Sequence, residues 1–356
     1  MDKKEIEQNI QKTVLKMALE PTNVTHYHDL AKFYAMDNQY EKVISVYESL
    51  LEIDPKDMQA LLNLGSIWFY AKEFKKALKC FNEAMIVNPS NYLVYYNLGN
   101  TYAEMKNFSK ALHFYSRSLD FNSQDTEVYN AIALLYHDFN DFVEAKAYYE
   151  KTLSIDPENL TALIDLGNVS YKMFEYNKAL EYYQRVYDIA PDNKSVANCL
   201  ANSYAAAKDK KNAYKYFDIA LKMDNDNYKT YICYAIAKTD FKEIDEAIEL
   251  YKKAIELEPQ SAKAYVLLGN LYSNKRMFKE AEEQYREALK INKMDPSLFV
   301  LIANLYFMNN EVERSIYSYR AAVNLRPEND EYKLVFIQVL EDFMADYRKD
   351  DVVANI

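Results

Sequence analysis

The chain has 356 residues, half of them apolar, with only four glycines and eight prolines. That is enough to build a core and argues against global disorder; so little glycine argues against a large α/β enzyme, whose turns and ligand loops need it. The net charge of −11, from 43 basic and 54 acidic residues, and the absence of any Lys/Arg run longer than two argue against a nucleic-acid partner.

The start of the chain, Met1-Asp2-Lys3-Lys4-Glu5, lacks the apolar stretch of a secretory signal, and no window of 18 residues is apolar and uncharged. No membrane partner is therefore expected. Cys80, Cys199 and Cys233 are too few and scattered for a disulfide framework, so the expected setting is reduced and cytoplasmic. The first predicted element is a helix over Lys4–Leu19, closed by Pro21, in a capping segment of residues 1–23.

From Val24 onward a strict period appears. Pro21, Pro55, Pro89, Pro157, Pro191, Pro259 and Pro327 are all separated by 34 residues or twice that. Nine repeats follow without insertion, at 24–57, 58–91, 92–125, 126–159, 160–193, 194–227, 228–261, 262–295 and 296–329. Position 4 is usually large and apolar, as in Tyr27, Leu61 and Tyr95. Position 8 is always small, and holds all four glycines, Gly65, Gly99, Gly167 and Gly269. Position 20 is alanine from Ala77 to Ala281, with Val43 and Ser315 at the two ends. Position 24 is aromatic throughout, from Tyr47 to Tyr319. Positions 4, 7, 8 and 11 have helical spacing and predict one apolar face on a first helix. The small residues at 8 and 20 let that helix approach an antiparallel second one, and the proline at 32 ends the pair. No such pair can bury its apolar face alone, so the copies must stack. After them, Tyr332, Val335, Phe336, Val339, Leu340, Phe343 and Tyr347 form one stripe of a final helix within a cap of residues 330–356. Its other face is charged, and a frayed tail is expected after Lys349.

These columns resemble the tetratricopeptide repeat, best seen in Leu61, Leu64-Gly65, Trp68, Ala77, Phe81 and Pro89. The resemblance covers Val24–Asn329. It implies an all-α fold, a right-handed solenoid of helix-turn-helix repeats whose first helices line a concave groove. Ser170 and Lys238 depart from the aromatic at position 11. Ser123, Asn225 and Lys293 replace the closing proline.

The face opposite positions 4, 7, 8 and 11 is centred on positions 2, 9 and 13, flanked by 5 and 6. Residues there are expected to make no contact with the partner helix of their own repeat. In the family this face is the recognition surface. Here it is rich in asparagine: Asn100, Asn168, Asn202, Asn270 and Asn304 at position 9, with Asn63, Asn97, Asp29 and Asp165 at position 6. An asparagine both donates and accepts, so a row of them can clamp a peptide backbone; equally, it can satisfy a local backbone group. Phe69, Tyr96 and Tyr171, with Tyr70, Ile232, Ile236 and Phe307, lie on or beside the face and can either anchor ligand side chains or pack on the next repeat. Of the Lys/Arg/Asn constellation with which some family members hold a terminal carboxylate, only His28 and Lys32 have a counterpart, with Asp29 between them. Helices about 10 Å apart give nine repeats a path of about 90 Å, or some 25 residues of extended chain at about 3.3 Å each.

Other chemistry is poorly supported. Cys199 and Cys233 are one repeat apart at position 6, too far for a disulfide and without further zinc ligands. His26 and His28, two residues apart on one helix, point in different directions. No glycine-rich loop or nucleophile–base pair stands out, so neither a cofactor, a metal nor an enzymatic activity is expected. The expected function is a non-catalytic adaptor for a protein or peptide partner. The alternatives are a self-assembling scaffold, which would be a homo-oligomer, and a regulatory subunit of a larger enzyme, secretion or chaperone complex.

Overall fold

The computed structural model describes the backbone of residues 2–354 and the side chains of residues 2–344. Among these there are 20 α-helices and no strand. After α1 (Lys3–Leu19) come nine first helices of 13 residues: α2 (Val24–Met36), α4 (Met58–Tyr70), α6 (Tyr92–Glu104), α8 (Thr126–Asp138), α10 (Leu160–Lys172), α12 (Lys194–Ala206), α14 (Tyr228–Asp240), α16 (Ala262–Asn274) and α18 (Pro296–Met308). They alternate with nine second helices of 14 residues: α3 (Tyr40–Ile53), α5 (Phe74–Val87), α7 (Phe108–Phe121), α9 (Phe142–Ile155), α11 (Tyr176–Ile189), α13 (Lys210–Met223), α15 (Ile244–Leu257), α17 (Phe278–Ile291) and α19 (Val312–Leu325). Helix α20 (Asp330–Ala354) runs past Lys349, where fraying was expected. The side chain of Tyr347, the last of the predicted stripe, lies outside the described residues. Earlier in that stripe, Val339 is buried and Phe336 packs beside it on Tyr319.

Two local columns hold each pair in register. Residues before the first helices are short and polar. Asn23, Asp57, Asn91, Asp125, Asn159, Asn193, Asn227 and Asp295 each accept a hydrogen bond from a backbone N–H of the helix they open. At the other end, position 15 is left-handed in every repeat, although it is never glycine. Asn38, Lys72, Lys106, Asn140, Phe174, Lys208, Lys242, Arg276 and Asn310 have φ from 57° to 67°. The following N–H reaches back over the helix end, as from Glu73 to the Trp68 carbonyl at 2.9 Å, which satisfies carbonyls the helix leaves open. The same bond forms at the two departures, from Glu175 to Ser170 and from Glu243 to Lys238, so neither loosens its turn. Helices α7, α13 and α17 end in register although Ser123, Asn225 and Lys293 replace proline.

The chain forms two compact units, Met1–Tyr182 and Tyr183–Ile356. In the first, α2, α4, α6 and α8 each pack on the second helix of their own repeat, α3, α5, α7 and α9 each pack on the next first helix, and α4, α6, α8 and α10 also touch in succession. The second unit repeats this scheme, with α12 touching α14. Positions 7 and 8 are buried in every repeat, as expected; position 4 is only partly buried at Tyr129, Tyr231, Tyr265 and Phe299, while positions 3 and 10 are buried in most repeats, for example Val94 and Thr101. The first helix is thus covered on two sides, by its own partner and by the preceding repeat. Position 27 is also fully buried, in Leu50 of the first repeat and in the small residues Ala84, Ser118, Thr152, Ala254, Ala288 and Ala322 of later ones.

Candidate functional site

The residues at position 9 have a structural task that begins one residue earlier. The ring of Tyr115, at position 24, lies flat against Gly99, where an added Cβ would overlap it. Its hydroxyl therefore emerges beside Asn100 and donates to Asn100 Oδ1 at 2.7 Å. Tyr285 lies on Gly269 and donates to Asn270 Oδ1 at 2.7 Å. Tyr319 donates to Asn304 in the same way. These asparagines do contact the partner helix of their own repeat, contrary to the expectation from the helical wheel, because a ring crossing a small residue carries its hydroxyl through to the opposite face. Where position 24 is Phe217 there is no hydroxyl, and Asn202 instead donates to the Asn198 carbonyl at 2.9 Å.

Position 6 serves the tyrosine of the preceding repeat. Asn63 Nδ2 donates to the Tyr47 hydroxyl at 2.9 Å, and the Asp165 carboxylate accepts from Tyr149 and, at 3.3 Å, from Asn168. Burial raises the pKa of Asp165, and no lysine or arginine among the described residues lies beside it. Asn97 differs from the others: its carbonyl accepts from Thr101, but its side-chain amide has no partner among the described residues. Burial is the main cause of the raised tyrosine pKa values at Tyr47 and Tyr96. Asn270 and Asn304, which accept from a tyrosine, keep their two N–H donors, whereas Asn100 also bonds the Tyr96 hydroxyl.

In the first unit, four of the expected residues line one cavity of about 620 Å³: Phe69, Tyr96, Asn100 and Asp165. The walls come from four consecutive first helices, α4, α6, α8 and α10. Asn63, Asn97, Asn168 and Tyr171 belong to the same unit but do not line the cavity, and Tyr171 packs edge-on against Tyr176. Asn202, Asn270 and Asn304 lie in the second unit. Lining residues that were not singled out from the sequence include Glu104, Glu127, Leu134, Asp138 and Phe139. Four of them stand at positions 2, 9 and 13, the centre of the face already drawn, but attention to asparagine passed over them.

The other polar residues lead away from chemistry. His28 is held by Asp57 at 2.9 Å and His26 by Glu20 at 3.0 Å, which takes His28 out of any carboxylate-holding constellation. The three cysteines are free, and burial pushes the thiols of Cys80 and Cys199 up to about 11, away from reactive thiolates. Among the described residues no group of three or more His, Cys, Asp or Glu is placed to hold a metal ion.

Tetratricopeptide-repeat patterns match residues 58–91, 92–125, 126–159, 161–193 and 262–293, and a related repeat pattern matches 239–275, together more than half of the chain. The chain belongs to the tetratricopeptide repeat family. No curated protein sequence matches it. Its fold is similar to a tetratricopeptide repeat protein from Parabacteroides merdae, at 16% identity and a TM-score of 0.58 over 70% of this chain and 99% of that one. It is also similar to yeast Tom70, at 16% identity and 0.57 over 99% of this chain and 95% of that one. The Cut9–Hcn1 hetero-tetramer of the APC/C offers a third likeness, at 16% identity and 0.50 over 88% of this chain and 63% of that one. Tetratricopeptide repeats are in general non-catalytic protein-interaction modules, and at that level the chain is a scaffold for protein–protein interaction. No described helix is long and apolar enough to cross a membrane.

Proposed function

We propose that this protein is a non-catalytic adaptor that holds an extended segment of a partner protein along the exposed face of its first helices, in a reduced cytoplasmic setting. The observation that carries this reading is the single cavity opened by α4, α6, α8 and α10, since successive repeats sharing one cavity suit a ligand that runs across them. An extended chain advances about 3.3 Å per residue, so repeats about 10 Å apart meet it every third residue. The asparagine row supports the same reading. At Asn100, Asn270 and Asn304 a tyrosine holds the carbonyl oxygen and fixes the amide in orientation, which suits its N–H groups to the carbonyls of a passing backbone whatever its side chains.

The test is site-specific photocrosslinking in the source cell. A photoreactive residue is placed at Tyr70, Leu134 or Asn97 on first helices, and at Ile86 or Tyr317 on second helices, the last two being 77% and 72% exposed. Crosslinks from the first-helix sites to neighbouring positions of one partner stretch are expected. Crosslinks confined to Ile86 and Tyr317 would place binding on the second helices and end the groove reading.

A further inference from the structure

The charged residues around the cavity are mostly acidic. Its lining includes Glu104, Glu127, Asp138 and Asp165 against one base, Lys106. Some carboxylates elsewhere are met by cations: Glu175 by Lys146 at 2.7 Å and Lys178 at 3.1 Å, and Glu282 by Arg286 at 2.7 Å and Arg314 at 3.0 Å. None of the four cavity carboxylates has a lysine or arginine within ion-pair distance among the described residues; His137 Nδ1 lies 3.9 Å from Asp138. Asp165 is half-buried with neutral donors only, from Tyr149 and Asn168, and with His137 nearby. A carboxylate withdrawn from water without a cation is costly, and a cation brought by a ligand relieves that cost.

The apolar part of the lining suits the same visitor. Leu134 and Phe139 are about half exposed, at 51% and 52%, and face the cavity with Tyr96 and Phe69. Lysine and arginine have this dual character: an aliphatic stem that covers apolar surface and a cationic head that seeks carboxylates or aromatic faces. Resting on the groove reading above, we propose that the cavity receives lysine or arginine side chains, and hence that the partner segment held there is a basic stretch of polypeptide. An acidic segment would set its own charges against the four carboxylates, and a neutral one would leave Asp165 unrelieved.

The experiment uses the full chain and fluorescein-labelled peptides of about 12 residues with lysine and tyrosine alternating, and the same peptides with glutamine or glutamate replacing lysine. Binding is read by fluorescence anisotropy at about 50 and 300 mM salt. One variant carries Glu104→Gln, Glu127→Gln and Asp138→Asn. A second adds Asp165→Asn. A third removes as much charge elsewhere through Asp245→Asn, Glu249→Gln, Glu256→Gln and Glu287→Gln. A fourth carries Phe69→Ala and Leu134→Ala. The lysine peptide is expected to bind about tenfold more tightly than the glutamine peptide. That preference should vanish in the first two variants and survive in the third, with a shallower salt dependence in the first two. Equal binding of lysine and glutamine peptides, both lost in the fourth variant, would overturn the basic preference and leave the groove reading standing. Binding that no cavity variant changes would show attraction to net charge alone and overturn both. A preference for glutamate, or no binding by any peptide, would also overturn the basic preference.

Discussion

A residue in the left-handed region other than glycine costs roughly 1–2 kcal/mol, less for asparagine. Nine such residues stand among the described ones, while Gly65, Gly99 and Gly269 lie against aromatic rings. Phe174 is the plainest case, with φ of 62° and a ring that is 77% exposed. Phe174→Gly is expected to raise stability by about 0.5–1 kcal/mol, the strain relieved less the entropy that glycine adds to the unfolded chain. Urea midpoints would show it, and Phe174→Ala should not share the gain. Asn140→Gly should gain less. The tyrosine–asparagine pairs make a second prediction. Tyr115→Phe and Asn100→Ala each leave a partner unmatched and should each cost about 1 kcal/mol, while the double variant should cost less than their sum by a similar amount. Additive costs would mean the bond is not formed.

Single elements are joined across repeats by a few polar contacts. Asp57 opens α4 by accepting from the Ala60 N–H at 2.7 Å and also holds His28 of the preceding repeat. Asp57→Ala is expected to cost about 1–2 kcal/mol, read from the thermal or urea midpoint, and Asp57→Asn much less. The turn between α14 and α15 carries an ion cluster in place of the missing aromatic. Lys238 is buried beside the Tyr214 ring and donates to Glu243 and Glu246, both at 2.6 Å. Burial opposes its charge, yet these two carboxylates hold its pKa above the usual lysine value. Hydrogen bonds from Lys210, Lys238 and Tyr214 hold Glu243 down at about 2, from 4.5. A carboxylate depressed in the folded state stabilises it above its unfolded pKa, and that contribution fades as pH falls from about 4.5 towards 2. Glu243→Gln should therefore cost about 1–2 kcal/mol at neutral pH, after allowance for partial exposure, and the gap to wild type should close in acid. A gap equally wide at pH about 3 would mean that the charge of Glu243 is not what matters.

At the scale of the whole molecule, stability is a sum over neighbouring repeats, not the property of one core. Loss of a single pair contact is then felt mainly by adjoining repeats. The urea dependence of unfolding should accordingly be shallower than a two-state globular protein of 356 residues would show, and hydrogen exchange should be graded along each unit. A single steep transition with uniform protection would contradict this.

The all-α class, the helix pairs and the register of every first and second helix could be read from the sequence, because a 34-residue period forces each column into an equivalent environment. One alanine at position 20 predicts six others. The small residues at position 8 were likewise legible as points of close approach. Contacts between columns were not legible. Nothing in a helical wheel reveals that the Tyr115 ring crosses Gly99 to reach Asn100, since that depends on how far two helix backbones approach. The left-handed turn at position 15 was hidden because no glycine marks it. Three of the four cavity carboxylates, all but Asp165, were hidden for a related reason. Glu104, Glu127 and Asp138, with Asp165, come from three separate helices, α6, α8 and α10, and only the stacking of those helices gathers them around one space. A periodic sequence therefore determines what each repeat is, by repetition of the same local and nearest-neighbour forces. What the first-helix face offers a ligand is decided by tertiary packing, because the cavity on that face is lined by side chains that different repeats bring together.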